Sequence, residues 1–593
     1  MRKRLSLLGA FLFLFFASKN KIYAHQFPPP GKEPLPIIYA FNDYTNQDWK
    51  TLHPEYGPIG VNWYWLWADI EPSDNNYNWG PIDRYIQIAN SHLIQLDDGR
   101  ILTKPVSIMI SPLYQIGSQG PHQGMPTFVV QGCQQENPSW TVENNLWNCT
   151  YGKSKWEEFL REFGRRYDNN HAVNEIWLWL GFDSEEGNAG WHSDKTQPGY
   201  KATDGGPTYY QWCERQRDIF HEVFPNTIQF SQALLHQIGG VAQYLATKYP
   251  GGKSGVKNNG WVPEGGGSQE ITVNGNLVGG RWGFSLLYYE KIPTGFEPGG
   301  WLWGAYGQNN PGWIYWSFIE ALAAHPWQLD IQWQYFANIT EASSLLNFDI
   351  MKFARRYLAK KINNTPDVWY VSREKKLESQ CWTGGAPPHN RYCYKPHDGD
   401  WEFFLYRKES APNSATTYCH NPSQCGLREP AASHAYALPG VRKTNRVSGN
   451  VFMSFDIDDR YPPPQKTSKW EISLTFANQG TDKISLEYRN QNGQIVKKII
   501  NKGPDLGAID SWVDYRWQLT DADFSGNKLE GVDFRINCEG DGDEFIHRII
   551  VKPRGVGDQN GDKKTDEKDL TLLLKQWAPE QSPFLQILLE DWD

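Results

Sequence analysis

The chain reads as an α/β protein: a (β/α)8 TIM barrel, then an antiparallel β-sandwich of jelly-roll type, then a short helical tail with a calcium loop. Three observations predict this. From about residue 34 to 360, short apolar runs alternate with amphipathic helical stretches. After about residue 375 the helical period stops and period-two runs take over. From Asp558 onward, oxygen-bearing side chains recur at the spacing of a loop that wraps a hard cation. At 593 residues the chain is too long for a single core, so several domains are expected. The boundaries read as 1–24 for a leader, 34–374 for the barrel, 375–553 for the sandwich and 556–593 for the tail.

The leader has the form of a secretory signal. Arg2, Lys3 and Arg4 precede an apolar run from Leu5 to Ala17, and Ala24 offers a cleavage point. That run is too short to span a membrane comfortably, and no other stretch of about 20 apolar residues follows. The expectation is a secreted, extracellular protein with no membrane partner. Export permits disulfides. Of eight cysteines, Cys133 and Cys149, Cys381 and Cys393, and Cys419 and Cys425 are close in sequence, while Cys213 and Cys538 stand apart. Spacing does not fix the pairing, and stapled loops are the expectation. A net charge of -9 argues against nucleic acid, which needs a basic surface.

Eight barrel strands are expected at Pro36–Phe41, Gly60–Trp67, Pro105–Ser111, Ile176–Phe182, Thr227–Leu234, Gly255–Asn259, Ile292–Phe296 and Leu329–Tyr335. Between them, Trp156, Phe159, Leu160, Phe163 and Tyr167 recur at helical spacing. A second helix is expected over Pro311–Ala324, opening on proline, and a third over Ser343–Lys360. An open doubly wound sheet is the alternative, weakened because no glycine-rich phosphate loop follows the first strand. Long loops follow strands three, four and six, over 112–153, 183–210 and 260–283. They carry Trp140, Trp147, Trp191, His192, Trp261 and Trp282.

The sandwich strands are expected in WEFFLYR, NVFMSFDID, WEISLTFAN, KISLEYR, QIVKKII, YRWQLT, VDFRIN and FIHRIIV. Asn492-Gly493 between two of them is a hairpin signal. In the tail, Asp558, Asn560, Asp562, Asp566 and Asp569 take positions 1, 3, 5, 9 and 12 of a loop, with the Lys564 carbonyl at position 7. That set suits calcium. The stretch resembles the first repeat of a dockerin, with Lys563 where a glycine usually turns the loop and Asp569 where a glutamate is usual. A dockerin grips a cohesin-type scaffold partner through two repeats, and one is found here.

Aromatic residues make up 15% of the chain, with 28 tryptophans, more than cores require. Flat rings that stack on sugars would account for the excess. Cutting a glycosidic bond takes two carboxyl groups, one to protonate the leaving oxygen and one to attack the anomeric carbon or to activate water. In a barrel both belong at the C-terminal ends of strands. Glu185 and Glu186 follow the fourth apolar run, with Asp183 beside them, and are the acid/base candidates. Glu297 follows the seventh, ahead of Pro298 and two glycines, and is the candidate nucleophile. Asn174-Glu175 precedes its apolar run and would lie at the wrong end. Glu290 reads as a helix end, and Glu264 lies in a glycine-rich loop. Trp67, Trp191, His192, Asn258, Asn259, Trp261 and Trp301 are the substrate-binding candidates, with Gln332 and Gln334 as weaker ones.

Trp67, Glu71, Pro72, Tyr77, Trp79 and Ile82 form a pattern around the second strand. It resembles that region of clan A (β/α)8 glycoside hydrolases, above all the β-galactosidase-like enzymes of family 42. The resemblance covers about residues 36–373. It implies a retaining mechanism on a polysaccharide or oligosaccharide, with acid/base after strand four, nucleophile after strand seven and no catalytic cofactor. The family's Asn-Glu at the end of strand four is replaced here by Asp183-Ser184-Glu185-Glu186. Glu71 then reads as an anchor at the barrel mouth. The competing reading is a non-catalytic carbohydrate-binding or scaffold protein that keeps a barrel without its chemistry.

Overall fold

A computed structural model describes residues 35–41, 58–96, 101–112, 124–140, 149–178, 207–232, 238–261, 271–273, 276–278, 283–298, 311–332, 349–372, 400–408, 417–419, 441–461, 469–509, 511–526 and 528–554. The chain divides into two compact units. One is Met1–Asn309 with Pro326–Thr340 and Asp349–Ala359; the other is Asn310–His325 with Glu341–Phe348 and Lys360–Asp593.

The first unit holds a closed barrel. Its strands are β1 (Ile38–Phe41), β2 (Gly60–Leu66), β3 (Val106–Ser111), β4 (Val173–Leu178), β5 (Ile228–Gln232), β6 (Ser254–Trp261), β7 (Thr294–Pro298) and β8 (Gln328–Gln332). They pair in chain order, all parallel, and β1 closes on β8. All eight expected strands are present, which excludes the open sheet. Seven of them start one to three residues from the expected position, and for two of these the cause is visible. β4 begins at Val173, three residues early, because Glu175 is accommodated inside the strand by buried partners. β7 begins at Thr294, because Ile292 still donates its amide to Tyr288 O and so ends the preceding helix. Glu297 therefore lies within the end of β7 rather than beyond it.

Helices α1 (Gly80–Asn90), α2 (Thr127–Glu136), α3 (Thr150–Tyr167), α4 (Pro207–Val223), α5 (Ile238–Lys248), α6 (Gly283–Tyr288), α7 (Pro311–Ala323) and α8 (Ile350–Tyr357) run between and after the strands. Helix α3 buries the apolar stripe read from the sequence: Trp156, Phe159, Leu160, Phe163 and Tyr167. Its aromatic rings stack into the layer outside the barrel, with Trp79 5.8 Å from Phe159 and 6.1 Å from Phe163. Helix α7 opens on Pro311 as expected and counts with the second unit. Helix α8 is the described part of the expected third helix, capped by the Asp349 carboxylate on the Lys352 amide. Cys133 and Cys149, close in sequence, form a disulfide, which decides a pairing that spacing left open. Among the described residues Cys538 is a buried free thiol. Cys381, Cys393 and Cys425, the leader and the 558–569 loop lie outside the described residues.

The second unit contains two antiparallel sheets. Its strands are β9 (Val368–Val371), β10 (Trp401–Phe403), β11 (Leu405–Lys408), β12 (Thr417–Cys419), β13 (Val441–Lys443), β14 (Phe452–Ile457), β15 (Trp470–Ala477), β16 (Lys483–Arg489), β17 (Ile495–Asn501), β18 (Trp512–Leu519), β19 (Phe534–Asn537) and β20 (Phe545–Pro553). One sheet runs β10-β9-β20-β13-β12, with β15 along β20 and β18 beyond it; the other runs β11-β14-β19-β16-β17. Each expected period-two run is found as a strand. WEFFLYR is broken in two. Phe404 takes a left-handed φ of 57°, and the chain passes there from one sheet to the other. The Asn492-Gly493 hairpin forms between β16 and β17, with Gly493 at φ 76° and the Asn490 side chain accepting the amides of Asn492 and Gln494.

The disulfide closes a loop of sequence separation 16. Replacing both Cys133 and Cys149 by serine should lower stability by about 3 kcal/mol. A urea midpoint that matches the oxidised wild type would contradict this.

Candidate active site

The barrel interior is built from alternate residues of each strand. On the even-numbered strands, Asn62, Glu175, Lys257 and Asp330 point inward and are linked. Lys257 Nζ lies 2.9 Å from Glu175 Oε1 and 2.7 Å from Asp330 Oδ2, and the side chains of Lys257 and Asp330 are 0% exposed. Ser107 donates to Glu175 (2.9 Å) and Asn62 donates to Ser107 (2.7 Å). Gln328 donates to Asp330. Above the Trp177 ring, Lys257 Nζ sits 3.9 Å from the centroid. Burial pushes Asp330 up to about 7 against the opposing pull of Lys257, and it raises Glu175 as well. Burial also opposes the Lys257 ammonium, but Asp330 and Glu175 carry it above its ordinary value.

Glycine at 295 makes room for this layer. A Cβ there would meet Gln328 Oε1 at 2.9 Å, the Lys257 stem at 3.2 Å and the Phe230 ring at 3.4 Å. Position 295 is thus on the inward side of β7. The register pairs Gly295 with Lys257 and Glu297 with Asn259, and then shifts between Glu297 and Pro298, where Pro298 pairs with Trp261. Glu297, Asn258, Asn259 and Trp261 therefore occupy neighbouring backbone positions at the C-terminal ends of β6 and β7, the end at which barrel enzymes hold their chemistry. Gln332 ends β8 at the same rim.

Glu175 lies within β4, below that rim, and its carboxylate is committed to Lys257 and Ser107. Glu185, Glu186, Trp191, His192 and Trp301 lie outside the described residues, as do Asp183, Trp147, Trp282 and Gln334. Glu290 follows helix α6 on the surface.

Two aromatic expectations are corrected. Trp67, read as a sugar-binding ring, is fully buried in a short helical turn after β2. Its ring lies 5.0 Å from Trp156 and 5.8 Å from Phe159, and its Nε1 donates to Glu71 Oε2 at 2.7 Å. Trp140, read as a cleft wall, is 2% exposed and belongs to the same core as Cys133 and Cys149. The Trp67 ring packs against the helical layer, which is itself aromatic. Glu71 acts as the expected anchor: it also accepts the Asn75 amide at 2.9 Å, and burial raises its carboxyl.

The Glu175–Lys257–Asp330 cluster was not anticipated. Its signal was present as three charges inside otherwise apolar strands, in VNEIWL, SGVKNNGW and QLDIQ. Charges buried in strands four, six and eight need partners inside the fold, and these three find charged ones in each other.

No protein-family model and no curated protein matches the chain. Among solved structures it is similar to a β-galactosidase from the psychrophilic Marinomonas ef1, at 11% identity and TM-score 0.31 over 50% of this chain and 53% of that one. It is similar to the exo-β-1,4-mannosidase Op5Man5 from Opitutaceae bacterium strain TAV5, at 13% identity and TM-score 0.30 over 52% and 53%. It is also similar to the isomalto-dextranase of Arthrobacter globiformis T6, at 10% identity and TM-score 0.31 over 87% and 96%. The chain thus spans about half the length of the first two. Likeness at that level assigns no chemistry to this chain.

Since Trp67 fills core rather than cleft, Trp67→Ala should cost roughly 3–5 kcal/mol in urea unfolding. A change below about 1 kcal/mol together with weakened saccharide binding would restore it to the site.

Proposed function

We propose that the protein is a secreted, retaining glycoside hydrolase acting on a polysaccharide or oligosaccharide. One observation carries the reading: the backbone of Glu297 lies in the C-terminal end of β7, in register with Asn259 of β6. In this reading Glu297 attacks the anomeric carbon, forming a glycosyl-enzyme ester as the leaving-group oxygen takes a proton from Glu185 or Glu186. The same acid then removes a proton from water, which displaces the sugar from Glu297. The two carboxyl groups must come within roughly 5 Å of each other for this route. Asn258 and Asn259 donate hydrogen bonds to sugar hydroxyls, and Trp191, His192, Trp261 and Trp301 supply the walls. No cofactor takes part.

The tail is a calcium site in the same reading, with Asp558, Asn560, Asp562, Asp566 and Asp569 giving side-chain oxygens and Lys564 its carbonyl. A cohesin-type scaffold is its partner only if the single repeat suffices for binding.

Glu297→Gln should abolish hydrolysis across a polysaccharide panel. One of Glu185→Gln and Glu186→Gln should lower kcat by roughly 10²–10⁴-fold, the other far less. Proton NMR of the first product formed by the wild type should show the substrate's anomeric configuration. Retained glycan binding by a wild type that hydrolyses nothing would favour the non-catalytic reading, and an inverted first product would rule out the double displacement. Calorimetric titration should detect one calcium per chain, lost in Asp558→Ala; no heat in the wild type would remove the calcium site.

A further inference from the structure

The interior cluster of the barrel holds two carboxyl groups and one ammonium shielded from solvent. Glu175, Lys257 and Asp330 are each 2% exposed or less. With all three ionised, the sealed layer would keep one uncompensated negative charge, which a water-free site bears badly. A second observation points the same way. Gln328 Oε1 is buried and has no hydrogen-bond partner, although the amide nitrogen of the same side chain donates to Asp330 Oδ1. The oxygen and nitrogen of such an amide are exchangeable by a flip, and the network decides between them.

We propose that the barrel interior contains a proton switch: Asp330 carries a proton in the folded protein and donates it to the Gln328 carboxamide oxygen, leaving Glu175 and Lys257 as the ion pair. Turning the Gln328 amide gives its orphan oxygen a donor. The layer becomes neutral, and Asp330 Oδ2 still accepts from Lys257. Among the described residues, the titratable groups facing Asp330 are Tyr39 on β1, its register partner, Glu175 on β4 and Lys257 on β6. Tyr39 accepts from Asn174 at 2.6 Å and is held well above its ordinary range by burial, so it stays neutral. Burial raises Asp330 to about 7, which agrees with the geometry.

The switch acts on strand seven. Gln328 Oε1 lies against Gly295, two residues before Glu297, with no side chain between them. When Asp330 ionises, the excess charge falls in the layer beneath that rim. The unfolded chain has an ordinary aspartate near 3.9, so between that value and about 7 the folded state binds more protons. Stability therefore falls as pH rises through that window. This holds whether or not the protein cleaves glycosides.

The test is the denaturation midpoint of the full chain from about pH 4 to about pH 8, for wild type, Asp330→Asn and Glu175→Gln. The wild-type midpoint should fall across the range. Asp330→Asn replaces the acid by an amide of the same shape and donor capacity, so it should keep the midpoint at low pH and reduce the slope, leaving the part that Glu402 and Glu544 contribute. Glu175→Gln leaves one carboxyl for one ammonium and should also flatten the slope, but at a lower midpoint. In the infrared difference spectrum near pH 6, one carbonyl component of a protonated acid should be present in wild type and missing in Asp330→Asn, beside the signal of Glu402 and Glu544, which burial also raises. A midpoint lowered equally at every pH in Asp330→Asn, with that band unchanged, would show Asp330 to be ionised. Should the band instead vanish in Glu175→Gln alone, the proton belongs to Glu175 and the assignment falls. The infrared readout decides even if one variant folds poorly.

Discussion

Closing eight strands into a ring sends every second side chain into a space that water does not enter. In this protein that constraint meets charge. Glu175, Lys257 and Asp330 come from strands about 80 residues apart in sequence, with separations of 82 and 73. They meet only because β4, β6 and β8 are inward neighbours in one layer. Barrel interiors are usually filled with branched apolar residues. Here the layer is polar, and a buried pair of this kind is better at fixing register than at adding stability. A one-residue slip of any of these strands would turn a charge into the apolar layer outside.

Aromatic residues carry much of that outer layer. Trp67, Trp79, Trp156, Phe159 and Phe163 form a continuous stack between β2 and α3. The polar tips are satisfied: Trp67 on Glu71 and Trp156 on Gln216. This is why a high tryptophan content is a weak guide to sugar binding. A ring that completes a core offers no face to a ligand, and composition does not separate the two uses.

The second unit solves a different problem. Two antiparallel sheets need strands to move between them, and one such passage falls at Phe404, whose left-handed backbone lets Leu405 pair with Ile457 while Phe403 stays with the first sheet. The inner faces then interlock through contacts such as Tyr370 on Phe455. Helix α7 belongs to this unit through Tyr315, whose hydroxyl meets His547 Nε2 at 2.8 Å, and the following His325 packs between Phe403 and Phe404.

The apolar runs and their spacing were enough to read the eight strands of the barrel, the α3 stripe, the period-two strands and the Asn492-Gly493 turn. These are local matters: periodicity and turn chemistry act over a few residues, and the sequence states them directly. The position of Glu297 near a strand end was legible for the same reason. Tertiary structure alone decided where β4 and β7 begin, that Trp67 and Trp140 lie in core, and that WEFFLYR serves two sheets. It also decided that three strand charges form one buried cluster. Each of those depends on what a residue meets across the fold, and burial and charge pairing are properties of the partner as much as of the residue itself.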